Sequence, residues 1–305
     1  MPDFEIIDAH VHTYPTQEIG RRAKGDAGDG NAYSGTVDEL EAAMAEGGIA
    51  QAVMLCLQPY ADMRQAALAR LPQGLGEAQQ ARAEAEVDEM LVGRQQRRNQ
   101  WTCEMARARP SLIAFLTLDP SMPTDAICFE IEERVKNQGA RGLKLHASLG
   151  RFYPYDPRLF PAYDLAQEMG LPVVFHGGAF FEGRDEYSRP KNFKEVARRF
   201  PRLSFVLAHL GQGFVAESRE IAGLYRQVAF DCSAIISGVG SRQGPTASEF
   251  VSLVRDLGVA RVQYGSDYPF FDPARGAAVL LGLPFTDDEK RLICADNARR
   301  TLRLP

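Results

Sequence analysis

Short apolar runs recur along the chain, and each is followed by a polar or glycine-rich stretch and then by a helical pattern. Most of these runs are apolar throughout rather than alternating between apolar and polar residues. Continuous short runs of this kind are typical of strands buried on both faces of a parallel sheet. The pattern predicts eight strands: Phe4–Ala9, Ala50–Leu57, Leu112–Leu118, Gly142–His146, Pro172–His176, Leu203–His209, Val228–Cys232 and Arg261–Gly265.

Helix start and stop signals lie between these strands. Residues 36–39 and 286–289 both fit a capping box, in which a Thr and a Glu cap each other's backbone. Asp156 precedes a proline suited to the first helical turn, and Gly170 stands where that helix should end. Further helices are predicted at Ser121–Gly139, Lys191–Phe200, Phe214–Gln227 and Thr246–Gly258.

Eight strand-then-helix units predict an α/β protein with the architecture of a (β/α)8 TIM barrel, with a doubly wound open sheet as the alternative. Such a barrel typically takes about 250 residues, whereas this chain has 305. The excess lies between the second and third strands, where residues 59–110 predict an enlarged loop and a long helix, Glu77–Ala108. This helical insertion is either a lid or dimer contact, or a solvated helix. Because no repeat or linker divides the chain, residues 1–305 are predicted to form one domain.

Composition excludes several classes of protein. Hydrophobic residues at 45% and charged residues at 25% rule out a disordered or fibrous chain. The 35 basic and 40 acidic side chains leave a net charge of −5, which argues against nucleic acid or an anionic membrane as a partner. No apolar run reaches the roughly 18–20 residues of a membrane span, and the N-terminus lacks a secretory pattern. With five scattered cysteines and no C-x-x-C pair, a cytoplasmic enzyme is the expectation.

The histidines are the main indication of chemistry. His10, His12, His146, His176 and His209 each fall at the C-terminal end of a predicted strand or just beyond it. In a barrel this end of the strands is the catalytic face, so all five side chains should meet at one mouth. Histidines scattered through a core or a surface would not share that position.

The residue types at these positions predict a metal site. His10 and His12 are two residues apart in a strand, so both imidazoles point to one side and suit a divalent metal. His176 ends the fifth strand, and Asp267 ends the eighth, where a carboxylate completes the ligand set and leaves a position for water. A bound cation would lower the pKa of that water from about 15.7 toward about 7, and Asp267 would accept its proton.

Taken in order, the motifs resemble the amidohydrolase superfamily, and in particular its amidohydrolase 2 branch, which includes aminocarboxymuconate-semialdehyde decarboxylase-like enzymes and some lactonases. The resemblance spans residues 5–303. It is carried by Ile-Ile-Asp8-Ala-His10-Val-His12, Gly142-Leu-Lys144-Leu-His146, Phe-His176-Gly-Gly, Ala-His209-Leu-Gly-Gln and Gly-Ser-Asp267-Tyr-Pro.

The resemblance implies that His10, His12, His176 and Asp267 bind a single divalent metal. Zinc is the first expectation, with manganese or another ion as alternatives. Asp267 and His209 are the implied catalytic residues. His209 would act as an acid or base, or would polarise the carbonyl of the substrate.

Lys144 leaves three alternatives open. In two-metal members of the superfamily, a lysine on the fourth strand is carboxylated and bridges the ions; here His176 and His209 would bind the second ion. In one-metal members, Lys144 would be an uncarboxylated cation that faces the mouth together with His146. Lactonases of the branch that work without a bound ion provide the third alternative.

Three loop arginines are candidates for binding a carboxylate of the substrate. Arg151 follows the fourth strand, and Arg184 and Arg189 follow the fifth. A guanidinium suits bidentate recognition of a carboxylate, although arginines in loops are commonly solvated. Asp8 either orients the segment that carries His10 or caps a turn.

The sequence therefore predicts a metal-dependent hydrolase whose metal-activated water attacks a lactone, an amide or a related bond in a small, carboxylate-bearing substrate. The alternative is a metal-dependent non-oxidative decarboxylase of the same branch, which would use the same ligands. An alternative from another class is a catalytically silent barrel that binds a metabolite. The expected partner is a small molecule, and the insertion adds a homodimer as an expectation.

Overall fold

The computed structural model describes residues 2–180 and 183–304. Within them, eight strands form one sheet in which each strand pairs in parallel with the next. The strands are β1 (Ile6–Val11), β2 (Ile49–Leu55), β3 (Leu112–Thr117), β4 (Gly142–Leu145), β5 (Val173–Phe175), β6 (Phe205–Leu207), β7 (Val228–Asp231) and β8 (Val262–Gln263).

Backbone contacts join the last strand to the first. The Ala9 amide donates to the Tyr264 carbonyl at 2.9 Å, and the Asp267 amide donates to the His10 carbonyl at 2.9 Å. Beyond them, Val11 forms a parallel bridge with Tyr268. The sheet is therefore a (β/α)8 TIM barrel, which confirms the predicted fold.

Helices alternate with the strands, and the capping boxes predicted at Thr36 and Thr286 are both present. In the described part of the chain, none of the helices is both long and apolar enough to cross a membrane. The helices are α1 (Gln17–Lys24), α2 (Val37–Gly47), α3 (Tyr60–Leu68), α4 (Glu77–Ala108), α5 (Thr124–Gln138), α6 (Ala147–Gly150), α7 (Phe160–Met169), α8 (Asp185–Ser188), α9 (Lys194–Arg199), α10 (Val215–Leu224), α11 (Ile235–Gly238), α12 (Ala247–Leu257), α13 (Pro273–Gly282), α14 (Asp287–Arg291) and α15 (Asn297–Leu302).

The strands alternate between two apolar layers. Their outward side chains join the helices in the larger core, whereas their inward side chains form a second cluster. Residues of the C-terminal segment pack against this inner cluster and cover it. We call it the barrel floor: Ile7, Ala9, Val53, Leu55, Ile113, Phe115, Val174, Val206, Ala229, Ala298, Leu302 and Leu304.

The helical insertion folds as α3 and α4, and α4 has the predicted bounds. Polar side chains attach α4 to the end of β3. Asn99 accepts a hydrogen bond from the Thr117 amide at 2.9 Å and donates to the Thr117 carbonyl at 3.1 Å, to which Gln95 also donates at 3.0 Å. The insertion is therefore fixed to the barrel mouth along its inner face. Its roles as a lid or dimer contact stay predictions.

Seven of the eight strands end one or two residues earlier than predicted, and for three of them the predicted last residue was a histidine. β4, β5 and β6 stop one or two residues before His146, His176 and His209, which lie in the loops that follow. The His176 amide still donates to the Leu145 carbonyl at 3.0 Å, whereas His146 is the N-cap of α6 and His209 has a left-handed backbone, with a φ angle of 59°. The histidines still lie at the mouth, as expected.

Candidate metal centre at the barrel mouth

A register irregularity in β1 places two histidines over the barrel floor. The pairing with β2 shifts between Asp8 and Val11. Ala9 belongs to the barrel floor, yet the contacts of His10 and His12 show that these side chains face the interior as well. Over this interval β1 contains one residue more than β2. An insertion of this kind changes the direction in which the side chains point, and it is common at the rims of barrels.

His10, His12 and Asp267 form a compact group. The two Nε2 atoms of the histidines lie 3.2 Å apart, and the Asp267 Oδ1 atom lies 3.1 Å from the His12 Nε2 and 3.5 Å from the His10 Nε2. His10 is fully buried, His12 is 3% exposed and Asp267 is 9% exposed. Three ligand atoms thus converge in a site largely shielded from water.

The outer nitrogens of these two imidazoles determine where their protons are. The His12 Nδ1 lies 2.6 Å from the Leu55 carbonyl oxygen, and the His10 Nδ1 lies 2.9 Å from the Asp231 Oδ2. Both partners only accept hydrogen bonds, so each Nδ1 carries the proton and each Nε2 presents a lone pair. The orientation is typical of metal-binding histidines, whose other nitrogen donates to a carbonyl or carboxylate.

Two lone pairs and a carboxylate therefore face one another with no proton between them, which is unfavourable unless a cation is present. Burial lowers the pKa of His10 to about 3 and lowers that of His12 as well, so both rings are neutral and able to bind a metal. Imidazole and carboxylate ligands suit zinc, manganese and similar ions. The residues present fit a divalent cation.

A second histidine pair lies beside this group. The His209 Nδ1 lies 3.1 Å from the Ser233 carbonyl oxygen, and its Nε2 lies 3.1 Å from the His176 Nδ1. If His209 donates to that carbonyl, its Nε2 accepts from His176, and the His176 Nε2 presents a lone pair. That atom is buried and has no hydrogen-bond partner among the described residues, which makes His176 a candidate for a further ligand.

The predicted ligand set is thus brought together only in part. Within the described residues, two groups of three donors lie within 4.8 Å of one another: His10, His12 and Asp267, and His10, His209 and Asp231. His176 belongs to neither and reaches the site through His209. Its metal binding stays a prediction.

Lys144 lies inside the barrel beside this cluster. Its Nζ atom is 3.5 Å from the His10 Nε2, and its side chain is 1% exposed. Burial lowers the pKa of Lys144 to about 8, against the opposing effect of the Asp231 and Asp267 carboxylates. The location suits either of the predicted states, a free cation or a carboxylated bridge, and the choice stays open.

His146 is placed by two contacts at the rim. Its Nδ1 accepts the Leu149 amide at 3.2 Å and caps α6, and its ring stacks on that of His176 at 4.0 Å. Phe180 approaches the same ring edge-on at 4.8 Å. Its Nε2 is therefore the donor, oriented by the cap, and its predicted role in binding a metal or substrate remains a prediction.

Asp231 and Ser233 were not among the site residues predicted from the sequence. Besides its contact with His10, Asp231 accepts hydrogen bonds from the His209 amide at 3.0 Å and from the Ser233 hydroxyl. Burial opposes ionisation of Asp231, but His10, His209 and Ser233 outweigh it and hold the pKa of this carboxyl well below its usual range. Asp231 is the last residue of β7 and the last but one of the seventh predicted strand, so the position at a strand end that selected the histidines would also have selected Asp231.

Asp8 has the orienting role that was one of its two predicted alternatives. Its Oδ1 accepts hydrogen bonds from the His10 amide at 3.1 Å and from the Ser266 amide at 2.9 Å. Burial raises the pKa of Asp8 to about 7. The carboxyl thereby ties the segment that carries His10 to the segment that carries Asp267.

The backbone is strained where two site residues lie. Asp267 and His209 have φ angles of 69° and 59°, in the left-handed region that residues with a Cβ seldom adopt. Gly265 permits the close approach of these segments, because a Cβ there would lie 2.8 Å from the Cβ of His10. Strain of this kind clusters at functional sites, where the surrounding fold maintains it.

The three predicted substrate arginines are already engaged with carboxylates. Asp62 of α3 pairs with Arg151 at 2.6 Å and with Arg184 at 2.9 Å. Arg189 pairs with Glu217 and lies over the Phe214 ring. These pairs tie the helical insertion and the loops after β4 and β5 to one another or to α10, and binding of substrate by the three arginines stays a prediction.

Comparison with known proteins gives one family and several similar folds. A family model described as Amidohydrolase matches residues 7–304. Among curated proteins, none matches the chain.

The solved structures with similar folds include three decarboxylases. 5-Carboxyvanillate decarboxylase from Sphingomonas paucimobilis is 18% identical, with 99% of this chain and 100% of that chain covered and a TM-score of 0.70. 2,6-Dihydroxybenzoate decarboxylase from Rhizobium is 15% identical over 99% of both chains, with a TM-score of 0.70. 5-Carboxyvanillate decarboxylase from Novosphingobium aromaticivorans, solved with bound manganese, is 13% identical over 99% of this chain and 98% of that chain, with a TM-score of 0.71. At these identities the likeness establishes the shared fold.

Proposed function

Since this chain belongs to the amidohydrolase family, we propose that it is a metal-dependent, non-oxidative decarboxylase of an aromatic carboxylic acid. The observation that carries the proposal is the convergence of two unprotonated imidazole nitrogens and a carboxylate in a buried site. The reaction is taken from the similar structures, three of which are named for removing a carboxylate from a hydroxylated aromatic ring. This favours the alternative over the hydrolase that the motifs alone suggest.

His10, His12 and Asp267 would hold the ion, and the orphaned Nε2 of His176 is the proposed additional ligand. Manganese is the first ion to test, because it is present in the Novosphingobium structure, and zinc stays a prediction. When bound, the divalent cation would hold oxygen atoms of the substrate and withdraw electron density from its ring.

The other polar residues of the mouth orient these ligands. Asp231 holds His10 through its Nδ1, and the Leu55 carbonyl holds His12. His209 is proposed as a positioning residue that fixes the His176 ring, with Ser233 behind it. These hydrogen bonds fix the rotamer and the tautomer of each histidine. Loss of such a bond commonly lowers metal affinity or activity about 10–100-fold.

Asp267 is the proposed proton carrier. Its side chain is 13% exposed, against 0% and 4% for those of His10 and His12. Against the effect of burial, His12, His209 and His10 hold the pKa of Asp267 well below its usual range, so Asp267 rests as a carboxylate. In the proposed step, it takes up a proton from solvent and passes it to the ring carbon that bears the carboxylate. The bond between that carbon and the carboxylate then breaks, its electron pair returns to the ring, carbon dioxide leaves, and Asp267 is again a carboxylate. Lys144 supplies positive charge toward the departing carboxylate.

The test begins with metal content. Protein purified without chelator or added metal should carry about one divalent ion per chain if one site is built by His10, His12 and Asp267. His12→Gln should lose most of that ion, whereas Asp164→Asn, which alters an exposed side chain on α7, should retain it. A protein that stays metal-free and refuses added manganese and zinc would overturn the metal-dependent reaction.

The second measurement separates the two reactions. Manganese-loaded enzyme is incubated with hydroxylated benzoates, and with lactones and amides of similar size, in ¹⁸O-labelled water. The proposal expects carbon dioxide release from a benzoate. Incorporation of one labelled oxygen into a lactone or amide product, without release of carbon dioxide, would instead establish hydrolysis. A metal-loaded protein inactive on every class would favour the silent barrel.

A further inference from the structure

One histidine of the mouth has a side chain that the proposed metal site does not use. His146 follows β4, and its backbone is still extended, with φ and ψ angles of −126° and 86°. In extended backbone, side chains two residues apart point to the same side, so His146 faces the barrel interior as Lys144 does. It therefore lies on the same side of the sheet as the proposed ligands.

Two neighbours fix the orientation of the His146 ring. Its Nδ1 accepts the Leu149 amide of α6 at 3.2 Å, so this nitrogen carries no proton and the Nε2 of the neutral ring is the donor. The ring also stacks on that of His176, with 4.0 Å between the centroids and 9° between the planes. Phe180 contacts the rings of both histidines edge-on, at 4.8 and 5.4 Å. The donor is thus held beside a proposed metal ligand.

The Nε2 of His146 is open to a ligand. In residues 2–180 and 183–304, the other ring nitrogens of the five histidines lie within 3.2 Å of another polar atom, except the His176 Nε2, which is fully buried. The His146 Nε2 has neither a partner in this part of the chain nor complete burial, and the residue as a whole is partly exposed. Asp267 and His176 keep 9% and 7% of their surface exposed. The His146 donor is therefore accessible at the same mouth as two of the proposed ligands.

The charges around His146 favour an anion as its partner. Burial and then the charge of Lys144 lower the pKa of His146 well below its usual range, whereas the charge of Asp267 raises it. Both groups therefore lie within electrostatic reach of the ring. A divalent ion and an uncarboxylated Lys144 would carry more positive charge than Asp231 and Asp267 carry negative charge. Because a hydrogen bond to an ionised acceptor is stronger than one to a neutral oxygen, a carboxylate is the acceptor that best suits this donor.

We infer that His146 is a specificity-determining residue, whose Nε2–H group donates a hydrogen bond to a carboxylate oxygen of the substrate. Of the two roles expected for His146, metal binding is disfavoured, because the Nδ1 lone pair accepts the Leu149 amide and the Nε2 carries the proton. The inference rests on the proposed function in one respect, since it takes the anchored acid to be the substrate.

Binding of an acid and of its neutral analogue tests the donor directly. Manganese-loaded protein is titrated calorimetrically with benzoate and with benzamide, and the wild type should prefer benzoate. His146→Phe keeps a ring that can stack on His176 but has no N–H group. It should bind benzoate about 10–100-fold more weakly than the wild type, as expected when a hydrogen bond to a charged group is lost. Binding of benzamide should change less. A wild type without any preference for benzoate would overturn the inference.

Two further variants separate the donor from the structural contacts of His146. His146→Asn keeps an oxygen that can cap α6 but removes both the ring and the donor, so it should bind benzoate as weakly as His146→Phe does. His146→Gln restores an N–H donor, and its affinity should lie between those of His146→Phe and the wild type. Wild-type affinity in either His146→Phe or His146→Asn would overturn the inference. Since one variant keeps the stacking and the other keeps the cap, either of them suffices if the other fails to fold.

The matched control is Tyr155→Phe, which removes a polar group from an exposed ring in the loop between α6 and α7. It should leave the affinity for benzoate within about twofold of that of the wild type, because substitutions at exposed positions have small effects. Each variant should also retain the metal content of the wild type. Loss of the ion from His146→Phe would show that His146 is a metal ligand, which would contradict the inference.

Failure of the inference and failure of the proposed reaction give different results. Benzoate binding that depends on His146, in a protein that releases no carbon dioxide from any acid tested, would support the anchor and reject the decarboxylase. Release of carbon dioxide with an unchanged KM in His146→Phe would do the reverse. A purely structural role for His146 would lower the Tm of the variants but leave the ratio of the benzoate and benzamide affinities unchanged.

Discussion

The two ends of the barrel interior are built on opposite principles. The barrel floor consists of apolar side chains such as Phe115 and Val174, which are fully buried and are covered by the C-terminal segment. The mouth is nearly as buried but holds histidines, carboxylates and a lysine, together with a left-handed backbone at Asp267. The same strands supply both ends.

The comparison shows that burial has different effects at the two ends. It stabilises the barrel floor, whereas at the mouth it leaves polar groups that a ligand would stabilise. At the floor, removal of apolar surface from water is favourable. At the mouth it favours neutral histidines, leaves two Nε2 lone pairs facing a carboxylate, and leaves the His176 Nε2 without a partner. Groups in such a state lower the stability of the empty protein and gain most when a cation binds.

The largest expected effect is at the mouth. Asp267→Asn should lower decarboxylation by about 10³–10⁴-fold, because it removes the proton carrier and one of the charged ligands. The free energy of unfolding of the metal-free protein should stay the same or rise, since a strained, buried charge is lost. Carbon dioxide release and urea denaturation measure the two quantities. If Asp267→Asn lowered the free energy of unfolding but left the rate of decarboxylation unchanged, Asp267 would serve stability and not the reaction.

Phe115→Ala tests the floor. Phe115 is fully buried and packs against the backbone of Gly142, where a Cβ would lie 2.3 Å from its ring. The free energy of unfolding should fall by about 3–5 kcal/mol through lost burial and the cavity that remains. Metal content per folded chain should not change. Loss of the metal ion from a Phe115→Ala variant that is still fully folded would show that the barrel floor and the mouth are not independent.

Asp231→Asn is a smaller change that separates orientation from ligation. The amide keeps the shape of the side chain but removes the negative charge that fixes the His10 Nδ1 proton. Metal affinity should fall by about 10–100-fold, measured by competition with a chelator. Asp164→Asn, an exposed position on α7, is the control and should leave affinity unchanged. Unaltered affinity in Asp231→Asn would remove Asp231 from the site.

The smallest effect is expected at the rim. Asp62→Asn breaks the ion pairs with Arg151 and Arg184, but these side chains are partly exposed, so stability should change by only about 0–1 kcal/mol. The KM should change little if neither arginine binds substrate. A KM that falls markedly in Asp62→Asn would indicate that the loop arginines bind the carboxylate of the substrate.

The fold was predictable because its signals are local. Most strands are continuous apolar runs, and the start of α4 follows from Gly76, which precedes it. The predicted family is confirmed by the match over residues 7–304. The inexact points, such as the early ends of β4 to β6, depend on loop hydrogen bonds that the pattern of apolar residues does not contain.

The site was predictable where strand ends determine it, as for His10, His12 and Asp267. Asp231 was missed because a single aspartate near the end of a strand also suits a turn. The partner of each loop arginine is distant in sequence, as with Asp62 and Arg184.

The closure of the barrel by its first and last strands has a consequence for biosynthesis. Asp267 lies 255 residues after His12, an interval of about 13–50 s at the usual speed of translation, ~5–20 residues per second. Throughout that time the nascent chain carries both imidazoles but neither the carboxylate that completes the group nor the strand that holds it. Binding of a metal by the proposed ligand set would therefore be a late event, on the ribosome or after release, and a chain truncated before β8 would lack one of the proposed ligands.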